Sequence, residues 1–311
     1  MDTDVKQPNP HFSNSEHMGS FVKVGEHNVH YYEAGQGPPV LLIHGIGQSL
    51  FTWHNCIEGL SKEHHVYAVD LIGYGYSDKP VQVSYTVDSL MEFVNRFMEA
   101  IDLGKAHIVA ASTGSIIALR LLEKYPYRVG RLSLLSPGGI TPEMPLSVRA
   151  LRSPITSWLF SLLFSRKTVQ ALVQDCYFDQ TQVTDRVINE YYAPFTFEGA
   201  RNVLVHTLGE FDETDTMREL PHIKHDVQLI WGYDDKWHRP EISEPFLISL
   251  GNSTMNTIRN CGHLPHEEKP EQVLEYIIPF LQKGFGSSAA TDQDASLSSS
   301  FGHLLRKNNQ N

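Results

Sequence analysis

The sequence predicts an α/β protein: a mostly parallel eight-stranded sheet with helices on both faces and a helical insertion. Three observations predict it. Short apolar runs alternate along the chain with stretches whose apolar residues recur at helical spacing, the pattern of a sheet built from β–α units. The alternation stops between residues 140 and 211, where only helical patterns occur. The run Ile108-Val109-Ala110-Ala111 ends at Ser112-Thr113-Gly114 and passes at once into Ile116, Ile117, Leu119, Leu121 and Leu122, so strand turns sharply into helix.

Taken in order, Phe21–Val24 and Val29–Glu33 read as an antiparallel pair turning near Gly25-Glu26. Strands follow at Val40–Ile43, Val66–Leu71, His107–Ala111, Arg131–Leu135, Val227–Trp231 and Thr254–Arg259. Helices fit Leu50–Leu60, Val87–Ile101, Thr113–Lys124, Ile242–Leu250 and Pro270–Leu281. The helix from Val87 carries Leu90, Phe93, Val94, Phe97 and Ile101 on one face, with Thr86 as N-cap and Gly104 as its stop. Pro279 lies inside the last pattern and predicts a kink or an early end. The chain thus divides into a core of residues 19–139 and 212–285 and a helical insertion of residues 140–211, the stretch to which a cap (lid) would belong. A polar segment, 1–18, precedes them, and a tail, 286–311, rich in Ser, Ala, Asn and Gln, reads as disordered.

At 311 residues and 41% hydrophobic, the chain can bury one large core or two smaller ones. A formal charge of −11 argues against nucleic acid and against anionic membranes as partners. Cys56, Cys176 and Cys261 are odd in number and lack metal-ligand spacing, which reads as reduced thiols in a cytoplasmic protein. The polar start, Met1 to His17, has no apolar stretch long enough for a signal peptide or a spanning helix. No His/Asp/Glu cluster has ligand spacing on one helix face, so no metal site is expected.

The turn at Ser112 carries the chemistry. Small residues two before it (Ala110) and two after it (Gly114) are what a crowded strand-to-helix turn requires. Such a turn holds the hydroxyl above the sheet edge and places the following backbone N–H groups at a helix N-terminus, where negative charge is favoured. Downstream, Trp231-Gly232-Tyr233-Asp234-Asp235 and then Cys261-Gly262-His263 give the chain order Ser, Asp, His.

Upstream stand Val40-Leu41-Leu42-Ile43-His44-Gly45-Ile46-Gly47 and Asp70-Leu71-Ile72-Gly73-Tyr74-Gly75-Tyr76-Ser77, and Gly262-His263-Leu264-Pro265-His266-Glu267-Glu268-Lys269-Pro270-Glu271 closes the series. Five motifs in this order resemble the α/β-hydrolase superfamily over Gly19 to Phe285. The resemblance implies a helical cap over the active site, with Ser112 as nucleophile, His263 as general base and Asp235 as the acid behind it. An imidazole titrates near neutrality and can hand the proton on to a leaving group, and a buried acid fixes its tautomer. Asp234 is the competing acid. The backbone N–H groups of Ile46 and Thr113 would form the oxyanion hole, each contributing ~3 kcal/mol. His44 reads as a structural tie for the oxyanion loop and His266 as a support for the histidine loop, while His64, His65 and His238 receive no role.

The cap segment carries Trp158, Phe160 and Phe164, with Tyr177, Phe178, Tyr191, Tyr192, Phe195 and Phe197 after them. Most must pack the cap, and the surplus predicts an apolar pocket wall, for which Ile46, Trp158 and Leu264 are the candidates. The leading expectation is a cofactor-free serine hydrolase that cleaves a small apolar ester, thioester or lactone through an acyl-enzyme. Hydrolysis of carbon–carbon bonds in ring-fission products is the alternative, as are a lyase or cyclase and a ligand receptor on the same fold. Two departures bear on this. A serine nucleophile followed by Thr113 rather than Trp argues against dehalogenases and epoxide hydrolases. Leu264, where the carbon–carbon hydrolases of the family usually have an aromatic residue, argues against that chemistry without removing it.

Overall fold

The computed structural model of the chain describes residues 19–138 and 164–284, together with Ser153 and Thr156. Eight strands form one sheet: β1 Ser20–Val24, β2 His27–Ala34, β3 Pro39–Ile43, β4 His65–Val69, β5 Ala106–Ala111, β6 Val129–Leu135, β7 Val227–Gly232 and β8 Ser253–Ile258. Their spatial order is β1-β2-β4-β3-β5-β6-β7-β8. Strand β2 runs antiparallel to both neighbours, and every other pairing from β4 onward is parallel. The register of the first hairpin sets Val24 opposite His27, which leaves Gly25-Glu26 as its turn.

Every residue of β5, β6 and β7 is buried, as expected where helices cover both faces of a parallel sheet. The two-residue side-chain period divides each strand between two cores. Leu41 and Ile43 of β3 face one cluster, and Val40 and Leu42 face the other. Helix α1 (Ile57–Ser61) lies on the second face, whereas α2 (Val87–Ala100) and α3 (Thr113–Lys124) cover the first. The expected break in the alternation holds among the described residues between β6 and β7, which form helices only: α4 Arg166–Cys176, α5 Asp185–Tyr192, α6 Ala200–Glu210 and α7 Thr214–Glu219. Tyr74 ties α6 to the core by donating its phenolic proton to Thr207 Oγ1 at 2.7 Å. Helices α8 (Glu244–Ser249), α9 (Pro265–Glu268) and α10 (Pro270–Leu281) are the last among the described residues, with α10 on the α1 face.

Three expectations need correction. The helix over Leu50–Leu60 is instead a 3₁₀ turn, Leu50–Trp53, and the short α1. Tertiary bonds win over local propensity there: Asp70 Oδ1 takes the Leu50 N–H at 2.7 Å, and the Thr52 hydroxyl is drawn to His266 and Glu267. The helix over Ile242–Leu250 is a 3₁₀ turn, Pro240–Ser243, followed by α8 with a proline in its first turn. Pro279 does not end α10 early, because it lies in the last turn with its ring exposed, where water can take the carbonyl it leaves unbonded. The three cysteines are buried and unpaired. No helix among the described residues is long and apolar enough to cross a membrane. Residues 1–18, the tail from 286 and Trp158 lie outside the described residues.

Candidate active site

The loops after β3, β5, β7 and β8 meet at the carboxyl edge of the sheet. At the end of β5 the chain turns on Ser112, whose φ of 51° and ψ of −129° are unusual for a residue with a side chain. Such a conformation costs about 1–3 kcal/mol and persists only where the surroundings enforce it. Here the Ser112 N–H donates to Leu135 O of β6 at 2.9 Å, and α3 begins at the next residue. Two glycines let the neighbouring backbone close in. A Cβ on Gly114 would stand 2.5 Å from the His44 carbonyl oxygen, and one on Gly45 would stand 3.0 Å from Ser112 Cβ.

His263 Nε2 lies 2.9 Å from Ser112 Oγ, and His263 Nδ1 lies 2.8 Å from Asp235 Oδ2. The turn after β7 brings two backbone amides, from Trp237 (2.8 Å) and His238 (2.9 Å), onto Asp235 Oδ1. Asp234 points elsewhere and accepts the Asn260 N–H at 2.9 Å. Burial alone would push the Asp235 carboxyl up. The charge and hydrogen bond of His263, helped by His238, outweigh burial and hold Asp235 below the usual carboxylate range, so it stays ionised. Asp235 and His263 are buried, and Ser112 is half-buried.

The histidine is fixed from several sides. Its backbone N–H donates to Cys176 O at 2.6 Å, the ring of Trp237 lies nearly parallel to it at 5.9 Å, and the His238 ring meets it edge-on at 4.9 Å. The assignment of no role to His238 is therefore corrected, because this residue contacts both Asp235 and His263. Glu268 was also missed. It accepts N–H bonds from Gly262 (2.7 Å), Asp179 (2.7 Å) and Phe178 (3.2 Å), joining the histidine loop to the segment after α4. Glu267, beside it, takes hydroxyl bonds from Thr52, Tyr177 and Tyr191. The only sequence signal was two carboxylates four and five residues after His263, a position where exposure would be the ordinary reading.

On the β3 side, His44 Nε2 accepts the Leu71 N–H at 3.0 Å, so Nδ1 carries the ring proton and donates it to Gly45 O at 2.8 Å. Burial pushes the His44 pKa down, which keeps this tie neutral. Gln48 Oε1 takes the Gly45 N–H at 2.7 Å. The Ile46 N–H, expected to face an oxyanion, donates to Thr113 Oγ1 at 2.7 Å. His266 Nε2 lies 2.7 Å from Thr52 Oγ1, and burial lowers its pKa to about 3, so it serves as a neutral support. Leu264 is 1% exposed and belongs to the core, so it does not offer a pocket wall. Ile46 is half-buried against the same cluster. A narrow cavity runs from Gly47, Gln48 and Ser49 toward Tyr191, Pro194 and Phe195 of the helical segment.

This arrangement can move a proton from Ser112 Oγ to His263 Nε2 beside an ionised carboxylate, which is the requirement for attack on a carbonyl carbon.

Comparison with known proteins places the chain. Residues 38–270 match the family model of the alpha/beta hydrolase fold. The chain is 30% identical over 282 residues to the 2-hydroxy-6-oxo-6-(2'-aminophenyl)hexa-2,4-dienoic acid hydrolase of Metapseudomonas resinovorans, covering 87% of this chain and 93% of that one. It is 25% identical to the 2-hydroxy-6-oxo-6-phenylhexa-2,4-dienoate hydrolase of Comamonas testosteroni, covering 85% and 96%. Among solved structures it resembles a serine hydrolase involved in carbazole degradation (TM-score 0.71, 27% identity, covering 86% and 99%). A meta-cleavage product hydrolase from Pseudomonas fluorescens shares the fold (TM-score 0.75, 22% identity, covering 85% and 98%). The chain is a hydrolase of the α/β-hydrolase fold family.

Proposed function

We propose that this hydrolase cleaves a carbon–carbon bond beside a ketone in an unsaturated oxo acid, with Ser112, His263 and Asp235 as its catalytic residues. The observation that supports it best is the continuous contact Ser112 Oγ–His263 Nε2–Asp235 in a chain that aligns over nearly its full length with hydrolases named for 2-hydroxy-6-oxo-dienoates. Ser112 attacks the ketone carbon as His263 takes its proton, and Asp235 stabilises the resulting imidazolium. The step proceeds from the tautomer in which the 2-hydroxyl has become a ketone and its proton has moved to the carbon beside the 6-ketone. Collapse of the tetrahedral oxyanion expels that carbon, its electron pair is delocalised through the enone of the acid end as a dienolate, and the dienolate takes its proton from His263. Water activated by the same histidine then releases the acyl group from Ser112 as a carboxylic acid. The helices over residues 166–210 serve as the cap.

Ester cleavage, the leading expectation from the residues alone, becomes the second reading. It uses the same three side chains and is favoured by Leu264, where the carbon–carbon hydrolases of the family usually have an aromatic residue. The deciding measurement compares turnover of 2-hydroxy-6-oxo-6-phenylhexa-2,4-dienoate with that of p-nitrophenyl butyrate, using Ser112→Ala as control. Faster dienoate turnover, lost in the control, is the expected outcome. Faster butyrate turnover would assign the ester reaction, and turnover of both by Ser112→Ala would remove the serine from either mechanism.

A further inference from the structure

We propose that the side-chain hydroxyl of Thr113 is a donor of the oxyanion hole, standing between the Ile46 amide and the oxygen that becomes negative. The inference rests on the serine-nucleophile reading above and goes beyond it, since a hole of this kind is otherwise built from two backbone amides. The Ile46 N–H is already spent on Thr113 Oγ1, at 2.7 Å across 67 residues of sequence. A hydroxyl that accepts one hydrogen bond still has one proton to give. Among the described residues, no oxygen or nitrogen takes that proton, although Thr113 is only 5% exposed.

Thr113 is also the first residue of α3. A threonine further along a helix turns its hydroxyl back to a carbonyl of the preceding turn, but here no helical turn precedes it. Its backbone N–H is likewise among those that a helix start leaves without an internal partner. One residue thus presents two donors directly after the nucleophile. Gly45 lies so close to the nucleophile that a Cβ on it would stand 3.0 Å from Ser112 Cβ.

In the reaction, Ser112 Oγ bonds to the carbonyl carbon and its proton passes to His263 Nε2. The carbonyl π pair moves onto oxygen, which accepts hydrogen bonds from the Thr113 N–H and Oγ–H. Thr113 keeps its proton throughout. The Ile46 amide, by donating to Thr113 Oγ1, polarises the hydroxyl and makes it a stronger donor. This differs from a hydroxyl that merely tethers the Ile46 loop or blocks the hole until substrate displaces it.

A fluorophosphonate probe separates these cases, because it reports on the hole whatever the natural substrate: its phosphoryl oxygen must occupy the hole as Ser112 is phosphonylated. The labelling rate is measured for wild type, Thr113→Val, Thr113→Ser and Thr113→Ala, with dienoate kcat and KM alongside. Removing one donor commonly slows catalysis by 10²–10³, and the freed Ile46 amide recovers part of it, so labelling and kcat should fall about 10- to 100-fold in Thr113→Val. Thr113→Ala, which cannot overpack the site, should show the same loss, and KM should stay near wild type in both. Thr113→Ser, which keeps the hydroxyl, should label at close to the wild-type rate. Wild-type or faster labelling of Thr113→Val and Thr113→Ala would show a blocking hydroxyl and overturn the proposal. A raised KM and lowered Tm with kcat unchanged would show a tether and overturn it as well. Failure of wild type itself to label would instead remove the serine nucleophile on which the proposal depends.

Discussion

Asp235 collects three hydrogen bonds, two from the backbone of its own turn and one from His263, and these decide which of two adjacent aspartates serves the ring. Asparagine at 235 would keep the shape but present an amide to a group that needs a negative charge. Asp235→Asn is expected to lower kcat by about 10⁴, through the wrong imidazole tautomer and an unstabilised imidazolium. Asp234→Asn, which loses only part of a bond to the Asn260 amide, should leave kcat unchanged and lower stability by about 1 kcal/mol. Equal losses of kcat in the two variants would disprove the assignment. Ser112, Asp235 and His263 were legible because each follows a strand at a turn whose small neighbours, Ala110, Gly114, Gly232 and Gly262, leave few alternatives. His238 and the Thr113 hydroxyl were not. The first acts through a backbone amide that any residue would supply and through a ring contact, and the second through a partner 67 positions away, so spacing along the chain reveals neither.

At the scale of elements, the four-residue α9 does more than its length implies. Its last residue, Glu268, holds the amides of Gly262, Phe178 and Asp179, while Cys176 O holds the amide of His263. The histidine loop and the end of α4 are thereby one unit. Glu268→Gln exchanges one acceptor oxygen for an NH₂ group that faces N–H donors. It should destabilise the protein by about 1–3 kcal/mol and lower kcat through a misplaced His263, with circular-dichroism melting and steady-state kinetics as the readouts. A variant with lowered Tm and intact kcat would show that the clamp is not needed to place the ring. Elements themselves were legible where local signals agreed. The expected bounds of α3 and α10, Thr113–Lys124 and Pro270–Leu281, match the observed ones, since apolar residues at helical spacing run to the end of both, past Pro279 in α10. They were not legible over Leu50–Leu60, where Asp70, His266 and Glu267, all distant in sequence, capture the groups a helix would have used.

Across the whole molecule, the helical segment is joined to the core through Glu267, whose carboxylate takes the hydroxyls of Tyr177 and Tyr191 on one side and Thr52 on the other. Burial pushes its pKa up to about 7, and the three hydroxyl donors recover only part of that. The sign follows from linkage. Between about pH 4.5 and 7 the folded protein holds a proton on Glu267 that the unfolded chain has released, so this group withdraws stability as pH rises, by an amount of order 3 kcal/mol once above 7. The buried histidines 44 and 266 work in the opposite sense. Burial lowers their pKa values, so they withdraw stability as pH falls below 6.5. The melting profile of the wild type alone therefore mixes opposed slopes, and the contribution of Glu267 is isolated by difference. Glu267→Gln keeps the volume and an acceptor oxygen but never ionises. Its Tm relative to wild type should rise steadily from pH 5 to pH 8, ending with the variant the more stable of the two at alkaline pH. A Tm difference that does not change with pH would mean that the proton on Glu267 plays no part in holding the helical segment to the core.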